Sequence, residues 1–100
     1  MSKKALIERQ RKREFLVHKY SIKRQKMHHI IKKETSLPKK FQWQQKWQKL
    51  PRDSSTVRLH NRCRLSGRPK GVFRDFQLSR HFLREMALLG FLPGVHKASW

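Results

Sequence analysis

The chain has few of the residues that cross-link small domains or anchor proteins in membranes. It contains a single cysteine, which excludes an internal disulfide and makes a reducing compartment the expected location. No apolar run approaches the roughly 20 residues that span a bilayer. The first residues also lack the apolar centre of a signal peptide. The sequence therefore argues against a membrane-spanning protein and against secretion.

Acidic residues are scarce as well. Only 6 Asp and Glu stand against 26 Lys and Arg, which leaves a formal net charge of +20 in 100 residues. Hydrophobic residues make up 36%, below the roughly 45–50% of soluble domains, which predicts one small domain with a modest core. Because such a charge opposes compaction, we expect a polyanionic partner, nucleic acid or an anionic membrane, and ordering of part of the chain on binding.

The positive charge differs in kind between the two halves. Residues 1–50 contain 12 Lys and 4 Arg, whereas residues 51–100 contain 2 Lys and 8 Arg. Lys is a flexible point charge, while the planar Arg fork suits bidentate phosphate contacts and base edges. We therefore predict a basic arm over 1–50 that follows the phosphate backbone and an Arg-rich module with a C-terminal tail over 51–100 that holds the register.

The first half predicts a long helix. Residues 3–34 contain no Gly or Pro, and Leu16, Tyr20, Met27 and Ile31 recur at helical spacing between basic residues. This pattern is typical of an amphipathic helix.

A second helix is predicted to follow after a corner. Ser36 is the expected N-cap, Pro38 lies in the first turn, and Trp43, Trp47 and Leu50 form one stripe before the next proline. Packing of the tryptophans against the first helix is the favoured interpretation, with base stacking as the alternative.

Extended structure is predicted for part of the second half. Residues 57–65 alternate apolar and basic side chains, with Val57, Leu59, Cys63 and Leu65 on one face. A turn cluster at 66–71 and a short extended piece at 72–76 follow.

The last predicted element is a helix that begins after Ser79 and is closed by Gly90. Its expected buried side consists of Phe82, Leu83, Met86 and Leu89.

Cys63 is the one candidate metal ligand or nucleophile. The position three residues on is Ser66, whose hydroxyl is a poor substitute for a thiolate at zinc. The histidines match no standard ligand spacing, and the glycines at 67 and 71 lack the Lys-Ser/Thr of a phosphate-binding loop. A metal-dependent nuclease, suggested only by His28, His29, His60 and Cys63, is therefore disfavoured. We expect that the protein is not an enzyme and that it binds neither a metal nor a cofactor. Cys63 is expected to be a small buried side chain.

Basic side chains around Cys63 predict a nucleic-acid contact. The second half contains eight Arg and only three acidic residues, which is more than solubility requires. The last helix is mostly apolar and lacks the base-contacting side chains of a DNA recognition helix, so structured RNA is favoured. The alternative that uses the basic first helix, a membrane-active amphipathic protein, leaves the Arg-rich half without a role.

The second half also resembles a known family. Residues 50–100, "LPRDSSTVRLHNRCRLSGRPKGVFRDFQLSRHFLREMALLGFLPGVHKASW", closely resemble the C-terminal half of the small-subunit ribosomal protein fourteen family, and "SKKALIERQRKREFLVHKY" resembles its N-terminal helix. The loosest part is about residues 25–48. The pattern is most similar to plastid versions, with mitochondrial and bacterial versions behind, and we expect no transit peptide.

The resemblance implies a zinc-free type of this family. The four zinc-ligand positions of the other type are here Cys63, Ser66, Ser79 and Phe82, so three ligands are absent. Cys63 and Phe82 would then be core residues and Ser79 a helix cap. The implied fold class is mainly α with little β: a long N-terminal helix and a second helix form an extended arm, followed by a small zinc-free ribbon-like module with a C-terminal helix.

The resemblance also implies a function. The protein would be a structural constituent of the small ribosomal subunit, binding ribosomal RNA in the head (3′ major domain) beside proteins three and ten, with no membrane, small-molecule substrate or homo-oligomer. A nucleic-acid-binding protein outside the ribosome stays the alternative. The expected location is the plastid ribosome, with the mitochondrial ribosome or bacterial cytoplasm as alternatives. The implied RNA contacts are Arg58, Arg62, Arg64, Arg68, Lys70, Arg74, Arg80, Arg84, Lys97, Ser99 and Trp100.

Overall fold

The computed structural model describes residues 2–99, and these are mainly helical. Helix α1 spans Lys4–Lys33, helix α2 spans Leu37–Gln48 and helix α3 spans Arg80–Leu88. Strands β1 (Val72–Phe73) and β2 (Leu78–Ser79) pair antiparallel. The predicted fold class, mainly α with little β, is confirmed.

The chain forms two compact units. The helical unit comprises residues 8–59, and the hairpin unit comprises residues 2–7 together with 60–99. The predicted boundary between residues 50 and 51, which is defined by charge and not by packing, stays a prediction. Within the described residues, no helix combines the length and the apolar character needed to cross a bilayer.

Helix α1 confirms the predicted long helix within one residue at each end. An uninterrupted run of helix-compatible residues explains its length, because nothing between residues 4 and 33 breaks the hydrogen-bond ladder. Leu16, Tyr20 and Met27 are half-buried and Ile31 is buried, so they share the covered face of α1 as their spacing predicts.

Helix α2 begins after Ser36, as predicted, with Pro38 in its first turn. The Ser36 hydroxyl makes no capping bond, and the Ser36 N–H donates to Glu34 Oε1 at 3.3 Å. Trp47 packs against α1, because the Arg24 guanidinium lies 5.7 Å from its ring centroid and the His28 ring lies at 6.1 Å. The packing interpretation is confirmed for Trp47.

The predicted extended segment over residues 57–65 forms no strand in the described chain: it is wrong at residues 57–58, which belong to a 3₁₀ turn, and at 64–65, which belong to a turn, while Leu59 has extended backbone angles. The chain instead forms two short 3₁₀ turns, Arg52–Ser54 and Thr56–Arg58. Val57 is 87% exposed and Leu65 is 51% exposed, so the apolar residues of the alternating pattern do not share a buried face. Local bonds decide the outcome at its start, since the Leu59 N–H donates to the Thr56 carbonyl at 3.2 Å and closes a turn that competes with a strand.

The core of the hairpin unit is small. Buried Cys63, Leu78 and Leu83 form its centre, and half-buried Phe82 and Met86 pack against them. Val72 and Leu92 also pack there. The predicted buried side of α3 is therefore confirmed at Phe82, Leu83 and Met86.

Two details of this unit differ from expectation. Leu89, predicted to be buried, is 71% exposed because α3 ends at residue 88 and the chain turns at Gly90, whose φ is +78°. Ser79 precedes α3 as its N-cap residue, but its hydroxyl makes no capping bond. The predicted extended piece at 72–76 is limited to β1, and its partner strand β2 was not predicted.

Candidate nucleic-acid interface

The turn from Cys63 to Arg68 organises the hairpin unit. The Gly67 N–H donates to the Cys63 carbonyl at 2.9 Å, and the Cys63 N–H donates to the Arg68 carbonyl at 3.0 Å. Gly67 has a φ of +71°, and a Cβ there would lie 2.8 Å from Cδ1 of Ile7. Both the backbone angle and the space therefore favour glycine. The turn buries Cys63 and leaves the side chains of Arg64 and Arg68 exposed.

The carbonyl of Gly67 accepts two further hydrogen bonds that hold this turn. The Ser2 hydroxyl donates to it at 2.7 Å, and Nη1 of Arg62 donates at 3.0 Å. The Ser2 N–H also donates to the Ser66 carbonyl at 3.2 Å. Arg62 is half-buried, and its Nε has no hydrogen-bond partner among the described residues. Part of the Arg62 side chain is thus committed to the fold, and its contact with RNA stays a prediction.

The thiol of Cys63 lies in an unusual environment. It is 3% exposed, and the Ser66 N–H lies 3.5 Å from its sulfur. Burial raises the pKa of this thiol, but hydrogen bonds from the Ser66 hydroxyl and from the backbone N–H groups of Ser66, Ser79 and Leu65 outweigh it and lower the pKa from 9.0 to about 6. The thiolate is therefore the favoured form at neutral pH.

The four positions implied as lost zinc ligands lie together in the hairpin unit. Ser66 and Ser79 direct backbone N–H groups to the Cys63 sulfur, and Phe82 packs against the core that contains Cys63. The Ser79 hydroxyl is buried without a partner in the described chain. Across residues 2–99, no three His, Cys, Asp or Glu side chains group closely enough to hold a metal ion. At the fourth position, the aromatic ring of Phe82 contributes apolar packing and no ligand atom.

Further exposed cations lie on the β1–β2 hairpin, whose backbone is held by hydrogen bonds. Val72 lies opposite Ser79 in the β1–β2 pair, and the Gln77 N–H donates to the Phe73 carbonyl at 2.7 Å to close the connecting turn. The Arg64 N–H donates to the Gln77 carbonyl at 3.0 Å, which joins this turn to the one around Gly67. Backbone hydrogen bonds, which do not depend on the charge of any side chain, therefore fix the spacing of the exposed basic residues.

We call the exposed basic side chains of these turns and of α3 the cationic shell. Arg64, Lys70 and Arg74 make no ion pair with any described residue, and only Asp75 and Glu85 supply acid between residues 60 and 99. Nη1 of Arg68 lies 2.5 Å from Nε2 of His81. The members of the cationic shell are Arg64, Arg68, Lys70, Arg74, Arg80 and Arg84.

The other predicted contact residues lie outside the cationic shell. Arg58 belongs to the helical unit, where its Nη1 pairs with Oδ1 of Asp53 at 2.5 Å. Lys97 and Ser99 are exposed in the C-terminal segment. Trp100 lies outside the described residues, so its contact with RNA stays a prediction.

Sequence patterns missed one residue that organises the helical unit. Nε of Arg24 donates to the Ser54 hydroxyl at 2.9 Å, and its Nη2 donates to the Pro51 carbonyl at 3.3 Å. Its position four residues after Tyr20, on the covered face of α1, is the one signal that marks it.

A phosphate backbone matches the cationic shell chemically. Guanidinium groups offer paired donors to phosphate oxygens, and neither Arg64 nor Arg74 forms an ion pair with a carboxylate of the described chain. The single low-pKa thiol is buried away from this surface, so it does not add a nucleophile to it.

Comparison with known proteins identifies the family. Residues 46–99 match the sequence profile described as ribosomal protein S14p/S29e. The chain is 60% identical to small ribosomal subunit protein uS14c of Chlorella vulgaris, with all 100 residues of both chains aligned. The chain belongs to this ribosomal protein family.

Other members are similar over the same length. Proteins named small ribosomal subunit protein uS14c from Mesostigma viride and Ostreococcus tauri are each 56% identical to the chain, again over 100% of both sequences. The profile begins shortly before the 3₁₀ turns and covers β1, β2 and α3. The resemblance to plastid versions of the family is confirmed, and it extends through the helical unit as well.

Proposed function

We propose that the protein is a structural constituent of the small subunit of the plastid ribosome and binds ribosomal RNA of its head, the 3′ major domain. The cationic shell is the main structural support. It is held by backbone hydrogen bonds around a small core, and Arg64, Lys70 and Arg74 have no acidic partner among the described residues. Family membership and the names of full-length relatives support the ribosomal assignment.

The proposed mechanism is electrostatic positioning. Exposed Lys side chains along α1 reduce repulsion between phosphates, while Arg side chains of the hairpin unit make directed contacts that fix RNA geometry. The turns at Gly67 and Gln77 hold those Arg residues before RNA arrives, so less conformational entropy is lost on binding. The proposed contacts are Arg58, Arg62, Arg64, Arg68, Lys70, Arg74, Arg80, Arg84, Lys97, Ser99 and Trp100.

The proposed partners are macromolecular. Small-subunit ribosomal RNA is the main one, and small-subunit proteins three and ten are the proposed protein neighbours. The role is architectural: the protein supports assembly and translation without catalysing a reaction, without a cofactor and as a single copy.

Co-sedimentation tests this proposal. The tagged full-length chain is expressed in plastids, and small subunits are isolated through a high-salt wash. We expect one copy per small subunit, and we expect Arg64→Gln with Arg74→Gln to lower retention after the wash because two cations no longer bind phosphate. Lys39→Gln with Lys40→Gln, at exposed or half-buried positions of α2, removes the same charge and serves as the matched control.

Three outcomes separate the proposal from its alternatives. Recovery with other nucleic acids and not with small subunits would indicate a nucleic-acid-binding protein outside the ribosome. Binding to anionic vesicles with no ribosomal recovery would indicate a membrane-active protein. Equal retention of both double variants would contradict the assignment of the cationic shell as the main contact.

A further inference from the structure

A groove in the helical unit is separate from the cationic shell. It encloses about 410 Å³, within the range of about 300–1,000 Å³ for pockets that take small ligands. All of its lining residues lie between residues 8 and 59. The lining includes three arginines and three apolar side chains: Arg24, Arg52, Arg58, Trp47, Leu50 and Val57.

The groove has an apolar part. Trp47, Leu50 and Val57 line it, and Val57 projects almost wholly into solvent. A valine with 87% exposure contributes little to the core, so its apolar surface stays available to a ligand. Trp47 is fixed from the α1 side by Arg24 and His28. The groove therefore offers an apolar surface of a kind on which a flat ring can pack.

The groove also has a cationic part, and two of its three arginines are held in place. Arg24 is bonded to Ser54 and to the Pro51 carbonyl, and Arg58 is paired with Asp53. Arg52 is exposed beside them. No acidic side chain is among the described residues that line the groove, but the Asp53 carboxylate beside it offsets the charge of Arg58, so Arg24 and Arg52 supply the net positive potential.

We propose that this groove binds one unpaired nucleotide of the small-subunit ribosomal RNA. The base packs beside Trp47 and Val57, and a flanking phosphate contacts Arg52. This inference rests on the proposed function, since it requires ribosomal RNA as the partner. Apolar or aromatic surface next to arginines is how proteins hold unstacked bases, whereas a paired helix would present only phosphates and a groove edge. A neighbouring protein with an acidic, apolar segment is the competing occupant.

Site-specific crosslinking in assembled subunits tests the occupant directly. The full-length chain receives the photoreactive residue p-benzoylphenylalanine in place of Val57, and in a control in place of Leu37, which is 80% exposed in the same unit and does not line the groove. After a high-salt wash and irradiation, mass spectrometry identifies the partner. We expect a crosslink from position 57 to a single RNA nucleotide, and either a different partner or no crosslink from position 37.

Each outcome decides between the two proposals. Failure of the unsubstituted chain to co-sediment with small subunits overturns the proposed function and the nucleotide site together. Normal incorporation with a crosslink from position 57 to protein, or with no crosslink, overturns the nucleotide site alone.

A charge substitution gives a second, independent measurement. Val57→Glu places a carboxylate in the groove at a surface position, while Leu37→Glu makes the same change of charge elsewhere in the helical unit. We expect Val57→Glu to weaken binding to a 3′-domain RNA fragment about tenfold more than Leu37→Glu does, because it disrupts both base packing and phosphate binding. Equal affinities for the two variants, with folding verified by circular dichroism, would overturn the nucleotide site.

Discussion

The two units arrange positive charge in different ways. In the helical unit, one carboxylate, that of Asp53, serves Arg58 at 2.5 Å and Arg13 at 3.8 Å, and most other cations are Lys side chains along a helix. In the hairpin unit, backbone bonds around Gly67 and Gln77 position the cations, and Arg64 and Arg74 pair with no acid that the structure describes.

Because of this difference, the two units are expected to contribute differently to RNA binding: one to the attraction of phosphates, the other to the geometry of the bound RNA. A Lys on an exposed helix attracts phosphates from any direction, because its flexible stem lets the charge move. An Arg on a hydrogen-bonded turn presents its donors from a fixed origin, so it constrains the RNA that binds it. The Lys side chains of the helical unit are therefore expected to add salt-sensitive attraction, while the hairpin unit is expected to fix the register and to make the contacts that survive a high-salt wash.

Salt dependence gives the largest expected effect. If the protein binds about 6–10 phosphates, its affinity for 3′-domain RNA falls about 10³–10⁵-fold between about 50 mM and 200 mM salt. Replacing four exposed Lys of α1, at positions 12, 23, 26 and 33, by Gln should flatten this slope by up to about 0.7–0.9 for each phosphate that is no longer neutralised. Filter binding across a salt series measures both quantities.

A chemical footprint on the RNA sharpens this comparison. The Lys variant should keep the footprint of the unsubstituted chain, while Arg64→Gln with Lys70→Gln and Arg74→Gln should change it. Identical footprints for both variants would contradict the division between attraction and register.

The next largest effect is the pH dependence of the free energy of unfolding, which arises from Cys63 in the hairpin unit. The folded thiol of Cys63 has a pKa of about 6 against 9.0 in an ordinary environment. Between these values the unfolded chain binds one more proton than the folded chain, so stability should rise by about 3–4 kcal/mol from about pH 6 to about pH 9. Below the folded pKa this contribution is lost. Denaturant unfolding at several pH values measures it.

Cys63→Ala is the control for this titration. It should remove the rise of stability with pH in that window, although it leaves a small cavity. Its effect on RNA affinity at neutral pH should be small, since the thiol is buried and lies outside the cationic shell. A rise that persists in Cys63→Ala would assign the titration to another group.

Arg62 and Arg64 differ in role although only one residue separates them. Arg62→Ala should lower the free energy of unfolding by about 1–2 kcal/mol, because it removes the bond to the Gly67 carbonyl and half-buried packing. Arg64→Ala should change it by less than about 0.5 kcal/mol while weakening RNA binding. Thermal unfolding and RNA affinity, measured on the same samples, distinguish the two. An equal loss of unfolding free energy in the two variants would contradict this difference in role between Arg62 and Arg64.

The last comparison concerns a difference of about 1 kcal/mol between alanine variants at Gly67 and Gly90. Gly67→Ala places a Cβ 2.8 Å from Cδ1 of Ile7, whereas Gly90→Ala at a similar positive φ meets nothing within 4 Å. Both variants should lose about 1 kcal/mol from backbone strain, and Gly67→Ala should lose about 1 kcal/mol more. Ile7→Val removes the crowded Cδ1 atom and should recover part of that excess. Equal stabilities of the two alanine variants would show that Ile7 moves aside at no cost.

Periodicity in the sequence was sufficient to predict the helices. Residues 3–34 contain no Gly or Pro, and the spacing of Leu16, Tyr20, Met27 and Ile31 matches the covered face of α1. Helices depend on contacts three or four residues away, which a sequence displays directly. The start of α2 after Ser36 and the end of α3 before Gly90 followed from the same local signals.

The region from 51 to 65 could not be predicted in this way. Alternation over residues 57–65 suggested a strand, but a strand needs a partner, and residues 57 and 58 instead belong to a 3₁₀ turn closed by the bond from the Leu59 N–H to the Thr56 carbonyl. The bonds from Arg24 to Ser54 and Pro51 join residues about 30 positions apart, and no local pattern encodes them.

Prediction of the candidate interface was partial for a similar reason. Arg content identified the basic residues of the hairpin unit, and the structure gathers six of them in the cationic shell. The ion pair that holds Arg58 in the other unit and the structural bond of Arg62 depend on three-dimensional neighbours, so composition could not separate these two from the rest.

The bond between Ser2 and Gly67 has a consequence for the order of folding during synthesis. It joins residues 65 positions apart. At about 5–20 residues per second, the first residues wait several seconds before their acceptor has been made. For that interval the basic N-terminal helix can form by local contacts alone, while the turn that it helps to hold does not yet exist. Ser2 is synthesised well before Gly67, yet it is thus among the last residues to complete its native hydrogen bonds.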